Sequence, residues 1–82
     1  MDIKSKEYLK YRNDHASRVT RESDGFMYFY DKAAAMVFEG STKNETIDAL
    51  APCGCDHTQS QGVVAGACQA ARLLRFEKEE TL

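Results

Sequence analysis

The sequence predicts an all-α fold, a small bundle or orthogonal array of about four helices in a single domain over residues 1–82. Three observations support this prediction. Apolar residues recur with helical spacing in residues 26–38 and 64–76. Ser, Thr or Asp precedes three of the four helical stretches as a possible N-cap. Glycine and proline interrupt the chain between the stretches, at Gly25, Gly40, Pro52 and Gly54.

The first segment, residues 5–23, is predicted to be an amphipathic helix on the protein surface. Most of its side chains are polar, and one face can be shared by Tyr8, His15, Ala16 and Val19. Ser5 can act as the N-cap of this helix. Residues 1–23 carry six Lys or Arg against four Asp or Glu, so the N-terminal helix is weakly basic, with a net charge of +2.

The middle of the chain predicts two helices. In residues 24–40 the apolar residues follow the pattern of a buried helix: Phe26, Phe29, Tyr30, Ala33, Val37 and Phe38. Three consecutive alanines favour a helix over the strand that the aromatic residues alone would indicate, and Gly40 can form its C-terminal cap. Thr42 and Glu45 then match a capping box, which predicts a short helix that ends at Pro52.

The last helix is predicted to begin at Asp56 or Thr58 and to end near Phe76, with a solvated tail after it. Its apolar stripe consists of Val64, Ala67, Cys68, Ala71 and Leu74. A second face holds only small residues: Gly62, Gly66 and Ala70. Glycine inside a helix costs about 1 kcal/mol relative to alanine, so we expect this face to allow the close approach of another helix. The second helix of the same chain is the favoured partner, and a second copy of the chain is the alternative.

The length of the chain favours self-association. A domain of 82 residues buries only about 60–65 % of the surface of its extended chain. Small domains therefore gain stability from metals, disulfides, regular helix packing or a partner subunit. The second helix has more aromatic residues than a core of this size needs, and a homodimer would bury them. We therefore expect a homo-oligomer.

The segment PCGCDHTQSQG, residues 52–62, concentrates side chains that can bind metals. In an extended loop, alternate residues lie on one side, which gives three candidate zinc ligands: Cys53, Cys55 and His57. Asp56 or His15 could supply a fourth ligand. Cys68 is about 15 Å along the last helix, so we expect it in the core instead. A redox pair and a cysteine nucleophile both lack the motifs that they need. The simplest interpretation is a turn that leads into a capped helix.

Composition and charge exclude several classes of protein. The apolar share of 43 % and the charged share of 29 % are those of a folded globular domain. The N-terminal excess of positive charge is too small to indicate phosphate binding, so nucleic acid is not expected as a partner. The sequence has no run of about 18 apolar residues, the length that would indicate a membrane span, and its N-terminus lacks an apolar signal region. Three cysteines cannot all pair within one chain, which favours reduced thiols and a cytoplasmic location.

No sequence motif identifies a reaction, and no catalytic residue is predicted. The leading hypothesis is a small non-enzymatic accessory or regulatory protein that binds another protein, and its size would suit a phage or mobile-element origin. The predicted contact surface consists of exposed apolar residues on the first two helices: Tyr8, Tyr11, Met27 and Tyr28. One alternative is a small zinc-binding regulator that uses the cysteine loop. Another is a homo-oligomer that binds a small anion at helix N-termini. Apart from zinc, no cofactor is expected.

Overall fold

A computed structural model describes the backbone of residues 2–19, 24–52 and 56–80, and all of their side chains except 16–19, 24 and 77–80. The described residues form four helices and no strand: α1 (Lys6–Val19), α2 (Asp24–Phe38), α3 (Lys43–Leu50) and α4 (His57–Glu80). The predicted all-α fold is therefore confirmed. Helix α4 continues to Glu80, past the end that the sequence predicts near Phe76.

Helices α2 and α4 form the centre of the fold and run parallel to each other. Gly62 faces the backbone of Phe26, and Gly66 faces the backbone of Tyr30. A Cβ atom added at Gly62 would lie 2.5 Å from the Phe26 carbonyl oxygen, and one added at Gly66 would overlap the Tyr30 carbonyl oxygen. The small-residue face of α4 thus packs against the second helix of the same chain, as the favoured prediction has it. Helix α3 lies in the connection from the end of α2 to the start of α4, and it contacts both of these helices.

The core lies between α2 and α4, with one apolar side chain from each of the other helices. Its apolar members are Tyr8, Phe26, Tyr30, Ala33, Ala34, Val37, Leu50, Val63, Ala67, Ala70 and Leu73. On α4 the predicted apolar stripe is partly wrong, because Val64 is 42 % exposed and Cys68 is also exposed. Because Gly62 and Gly66 face α2, the side chain of Val63 rather than that of Val64 points into the core.

Local capping interactions fix the helix ends. The Tyr8 amide donates to Ser5 Oγ at 3.1 Å, so Ser5 caps α1. Reciprocal hydrogen bonds between Thr42 and Glu45, at 3.1 and 3.2 Å, form the predicted capping box of α3. Of the two candidates for α4, Asp56 is the cap. Its carboxylate accepts from the amide of Gln59 at 2.8 Å, and the Gln59 side chain accepts from the Asp56 amide at 3.0 Å.

The turn after α2 requires a left-handed residue. Gly40 has a φ of 122°, a conformation that glycine adopts without a steric penalty. The amide of Ser41 donates to the Met36 carbonyl at 3.0 Å, and the amide of Gly40 donates to the Val37 carbonyl at 3.1 Å. This pair of bonds is the Schellman motif, which satisfies carbonyls at the helix end. The turn directs α3 back across α2 and α4.

The overall dimensions are those of a compact small domain with one long helix. The Cα radius of gyration is 12.1 Å, and a folded chain of this length is expected at about 12 Å. The principal extents are 40 × 25 × 17 Å, and the 24 residues of α4 account for the longest of them. Within the described ranges, no helix is long and apolar enough to span a membrane.

Candidate functional site

Tyr8 does not belong to an exposed aromatic patch, contrary to the sequence prediction. Its side chain is 0 % exposed and packs edge-on against the Phe38 ring, with the ring centroids 5.5 Å apart. The reason is the position of α1, which lies antiparallel to α2 and directs Tyr8 into the core near the C-terminal end of α2. Tyr8 therefore anchors α1 and cannot contact a partner protein.

The Asp31 carboxylate is the centre of a polar network between α1 and α2. The Tyr8 hydroxyl donates to Asp31 Oδ1 at 2.7 Å, and Arg12 Nη1 donates to Asp31 Oδ2 at 2.8 Å. The Arg12 and Asp31 side chains are 23 % and 29 % exposed, so the ion pair is largely shielded from water. Both carboxylate oxygens are engaged within the protein, and the network attaches α1 to α2.

A second polar contact joins the same two helices. His15 Nδ1 and the Tyr30 hydroxyl are 2.9 Å apart, so these two side chains are hydrogen-bonded. Burial raises the pKa of Tyr30 well above its usual value, and the nearby negative charge of Asp31 adds to this effect. Burial likewise raises the pKa of Tyr8, and the hydrogen bond to Asp31 raises it further. Both phenols therefore remain protonated at neutral pH and act as structural hydrogen-bonding groups.

The side of α2 that faces solvent presents a small aromatic and basic cluster, which we name the α2 outer surface: Tyr28, Phe29 and Lys32. Tyr28 is 61 % exposed, while Phe29 is half-buried. The Tyr28 and Phe29 rings meet edge to face, with centroids 5.1 Å apart. Lys32 Nζ lies 5.8 Å from the centroid of the Tyr28 ring, within range of a cation–π interaction.

Of the four predicted contact residues, Tyr28 lies on this surface, whereas Met27 is half-buried and packs against the core. Tyr11 is 45 % exposed but belongs to α1. Among the described side chains, the aromatic and cation contacts of Tyr28 are to Phe29 and Lys32 and do not include Tyr11. The α2 outer surface is therefore a site of its own, and Tyr11 is a separate exposed residue.

The candidate zinc loop is only partly described. Cys53 and Cys55 lie outside the described residues, and His57 is the exposed first residue of α4. The Nε2 atoms of His57 and Gln61 are 3.0 Å apart. No group of three potential metal ligands occurs among the described residues, a search that leaves out both cysteines. Zinc binding at this loop thus stays a prediction. The expected core position of Cys68 is wrong, because its side chain is exposed on α4.

Sequence reasoning missed Asp31 and Lys32, which organise the two sides of α2. A signal for them does exist, since they are the only charged residues between Gly25 and Phe38. A charge within an otherwise apolar helix indicates either a buried partner or a point of contact with solvent. The structure provides both: Asp31 pairs with α1, and Lys32 lies over the exposed Tyr28 ring.

No protein-family model, curated protein or solved structure matches this chain.

Proposed function

We propose that the protein is a small non-enzymatic accessory or regulatory module that binds another protein through the α2 outer surface. The observation that supports this proposal is Tyr28, which is 61 % exposed on a helix whose opposite side supplies five core residues. Tyrosine is enriched among the residues that contribute most of the binding free energy at protein interfaces. We include a cytoplasmic location in this proposal, because three cysteines cannot all pair within one chain and reduced thiols are typical of that compartment.

The α2 outer surface is held in place by its surroundings. The glycine contacts fix α2 against α4, and the Asp31 network fixes it against α1. A surface that is already ordered loses less conformational entropy on binding than a mobile one. Lys32 adds a positive charge beside the Tyr28 ring, so the surface suits a partner that offers an apolar pocket with a carboxylate at its edge.

The geometry gives less support to binding of an anion at a helix N-terminus. At the start of α4 the amide of Gln59 already donates to the Asp56 carboxylate at 2.8 Å. That carboxylate places a negative charge where an anionic ligand would bind, and like charges repel. At the start of α3 the Glu45 carboxylate has a similar position.

Affinity capture from the source cells tests the proposal. Tagged wild-type protein, Tyr28→Ser and the control Phe76→Ser are compared; the control removes a second aromatic side chain, which is 50 % exposed on α4. We expect one captured protein to be retained by wild type and Phe76→Ser and lost with Tyr28→Ser. Titration of that purified partner by calorimetry should show about a thirtyfold weaker affinity for Tyr28→Ser, as expected of an interface hot spot. Equal capture by all three proteins, or no specific capture by wild type, would contradict the proposal.

A further inference from the structure

Helix α1 is attached to the rest of the molecule in a different way from the other helices. The backbones of α2 and α4 touch at two glycines, and α3 packs against both helices. The backbone of α1 approaches none of the three as closely. Among the described side chains of α1, only Tyr8 is fully buried, and ten of the eleven apolar core residues belong to the other helices. A segment that buries so little apolar surface opens at a lower free energy than the rest of a fold.

The bonds that hold α1 in place are polar and come from one face of the helix. Tyr8 and Arg12 donate to the Asp31 carboxylate. Further along the same face, His15 is hydrogen-bonded to the Tyr30 hydroxyl. An isolated helix of about 14 residues is marginal in water, so α1 depends on these bonds to remain helical. Water offers each of these groups an alternative partner, which keeps the net stabilisation small.

The face of α2 that α1 covers is apolar apart from one carboxylate and one phenol. Tyr30, Ala34 and Phe38 lie on this face at spacings of four residues, with Asp31 beside them. The ring of Tyr8 packs against Phe38 at one end of it. Both oxygens of Asp31 accept hydrogen bonds from α1, so the uncovered face favours a ligand that supplies a cation at this point.

The side chains of α1 indicate which kind of ligand fits this face. Tyr8, Arg12 and His15 are spaced at i, i+4 and i+7, the anchor pattern of a helix that binds in a groove. The charge of Arg12 complements that of Asp31. Tyr8 supplies both a ring for Phe38 and a hydrogen-bond donor. A helix of another protein that has an aromatic residue and an arginine four positions later would make the same contacts.

We infer that α1 is a displaceable cover. It opens while α2, α3 and α4 stay packed, and the uncovered face of α2 binds a helix of another protein that has the α1 pattern. The bound helix and α1 compete for the same face, so the fraction of molecules in which α1 is open sets the apparent affinity. This face is separate from the α2 outer surface, because α1 binds Asp31 on one side of α2 and Tyr28 is exposed on another.

Hydrogen exchange of the full-length chain tests the opening. The amides of residues 9–15 should exchange at least about tenfold faster than the slowest amides of α2 and α4. Arg12→Ala should accelerate exchange in α1 and leave α2 and α4 unchanged. Lys10→Ala removes an exposed basic side chain from the same helix, so it is the matched control and should change neither. Equal protection of α1 and α4 in the wild-type chain, or equal acceleration of all three helices by Arg12→Ala, would overturn the inference.

Titration with a peptide tests the binding site. The isotope-labelled full-length chain is titrated with an unlabelled peptide that has the sequence of residues 2–19. Because the peptide takes the place of α1, the NMR signals of the α1 amides should move toward random-coil positions. The signals of Asp31 and Phe38 should stay near their folded positions. A peptide with Tyr8→Ser and Arg12→Ser lacks the anchors and should not displace α1.

A substitution within the full-length chain separates competition from simple damage to the fold. Arg12→Ala in the chain weakens its own cover but leaves Asp31 available to the arginine of the peptide. The peptide should therefore bind this variant at least about fivefold more tightly than wild type, whereas Lys10→Ala should leave the Kd unchanged. Failure of the peptide to displace α1 in either chain, or an equal Kd for wild type and Arg12→Ala, would overturn the inference. No partner protein is used, so this result is independent of the partner proposed for the α2 outer surface.

Discussion

The Tyr8 hydroxyl donates a hydrogen bond to Asp31 Oδ1 at 2.7 Å, while Arg12 binds the other oxygen of the same carboxylate. One carboxylate of α2 thus accepts hydrogen bonds from two side chains of α1. This contact differs in kind from the contact between α2 and α4, where glycine allows the two backbones to touch. Attachment of α1 therefore depends on a few long polar side chains, and each of them can be removed singly.

Replacement of Asp31 tests this dependence. Asp31→Ala leaves the buried Tyr8 hydroxyl without its acceptor and Arg12 without its ion-pair partner, and should lower the free energy of unfolding by about 2–3 kcal/mol. Tyr8→Phe removes only one hydrogen bond and should cost about 1 kcal/mol. Both changes remove the same hydrogen bond. In urea unfolding, the free energy lost by the double variant should therefore be about 1 kcal/mol smaller than the sum of the two single losses.

The exposed Asp48 of α3 provides the control for this cycle. Asp48→Ala should change the free energy of unfolding by no more than about 0.5 kcal/mol, the usual range for a surface substitution. Strict additivity of Asp31→Ala and Tyr8→Phe would show that the hydrogen bond between them contributes nothing to stability.

Stability at alkaline pH follows from the two buried phenols. Burial is the main cause that raises the pKa of both Tyr8 and Tyr30 in the folded state. An unfolded tyrosine has a pKa of about 10, so their contribution is fully present below about pH 10. Above that pH the unfolded chain releases these protons more readily than the folded chain does. The free energy of unfolding therefore falls by up to about 1.4 kcal/mol per pH unit for each of the two tyrosines.

Urea unfolding in a pH series from about pH 9 to about pH 11.5 measures this loss. In the Tyr8→Phe variant one of the two phenols is gone, so the decline of stability with pH should be about half as steep. A free energy of unfolding that is constant across this range in the wild-type chain would contradict the account of both residues.

The helix ends that carry a local cap, at Ser5, Gly40 and Thr42, could be predicted from the sequence, whereas the end of α4 could not. Ser5 and Thr42 interact with amides three residues ahead, and Gly40 closes a turn with its immediate neighbours. The burial of Tyr8 could not be predicted in this way, because it depends on where α1 lies against α2. The same is true of Asp31, whose two partners are 19 and 23 residues away in the chain.

The inward side of α4 shows a different limit of sequence reasoning. The hydrophobic pattern locates a helix correctly but selects Val64 and Cys68 as inward residues, whereas Val63 is buried. Periodicity counts apolar side chains, and glycine has none. The face that approaches α2 most closely therefore contributes least to the pattern, although Gly62 and Gly66 determine how α4 packs.

Substitution at Gly66 tests this close packing. Alanine is the better helix former by about 1 kcal/mol, so Gly66→Ala would stabilise an isolated α4. In the folded chain the new methyl group overlaps the Tyr30 carbonyl oxygen, and backbone atoms cannot move away cheaply. We therefore expect a net loss of about 1–3 kcal/mol, seen as a lower Tm.

Gly25→Ala is the matched control for this substitution. The methyl group that it adds meets the side chain of Gln59 instead of a backbone atom, so it can be accommodated at the cost of the hydrogen bond that Gln59 accepts from the Asp56 amide. Its Tm should fall less than that of Gly66→Ala. A Tm above that of the wild-type chain for Gly66→Ala would mean that α2 and α4 do not touch at this point.

The zinc hypothesis makes a separate prediction for Cys53, Cys55 and His57. One bound zinc ion would add its mass to the intact protein under native conditions, and a chelator would remove the ion and lower the Tm, because a ligand of the folded state stabilises it. His57→Ala should lose the ion. Gln61→Ala is the matched control, since Gln61 lies 3.0 Å from His57 but is not a zinc ligand, and it should keep the ion. An unchanged mass and Tm on chelation would leave the loop as a structural turn.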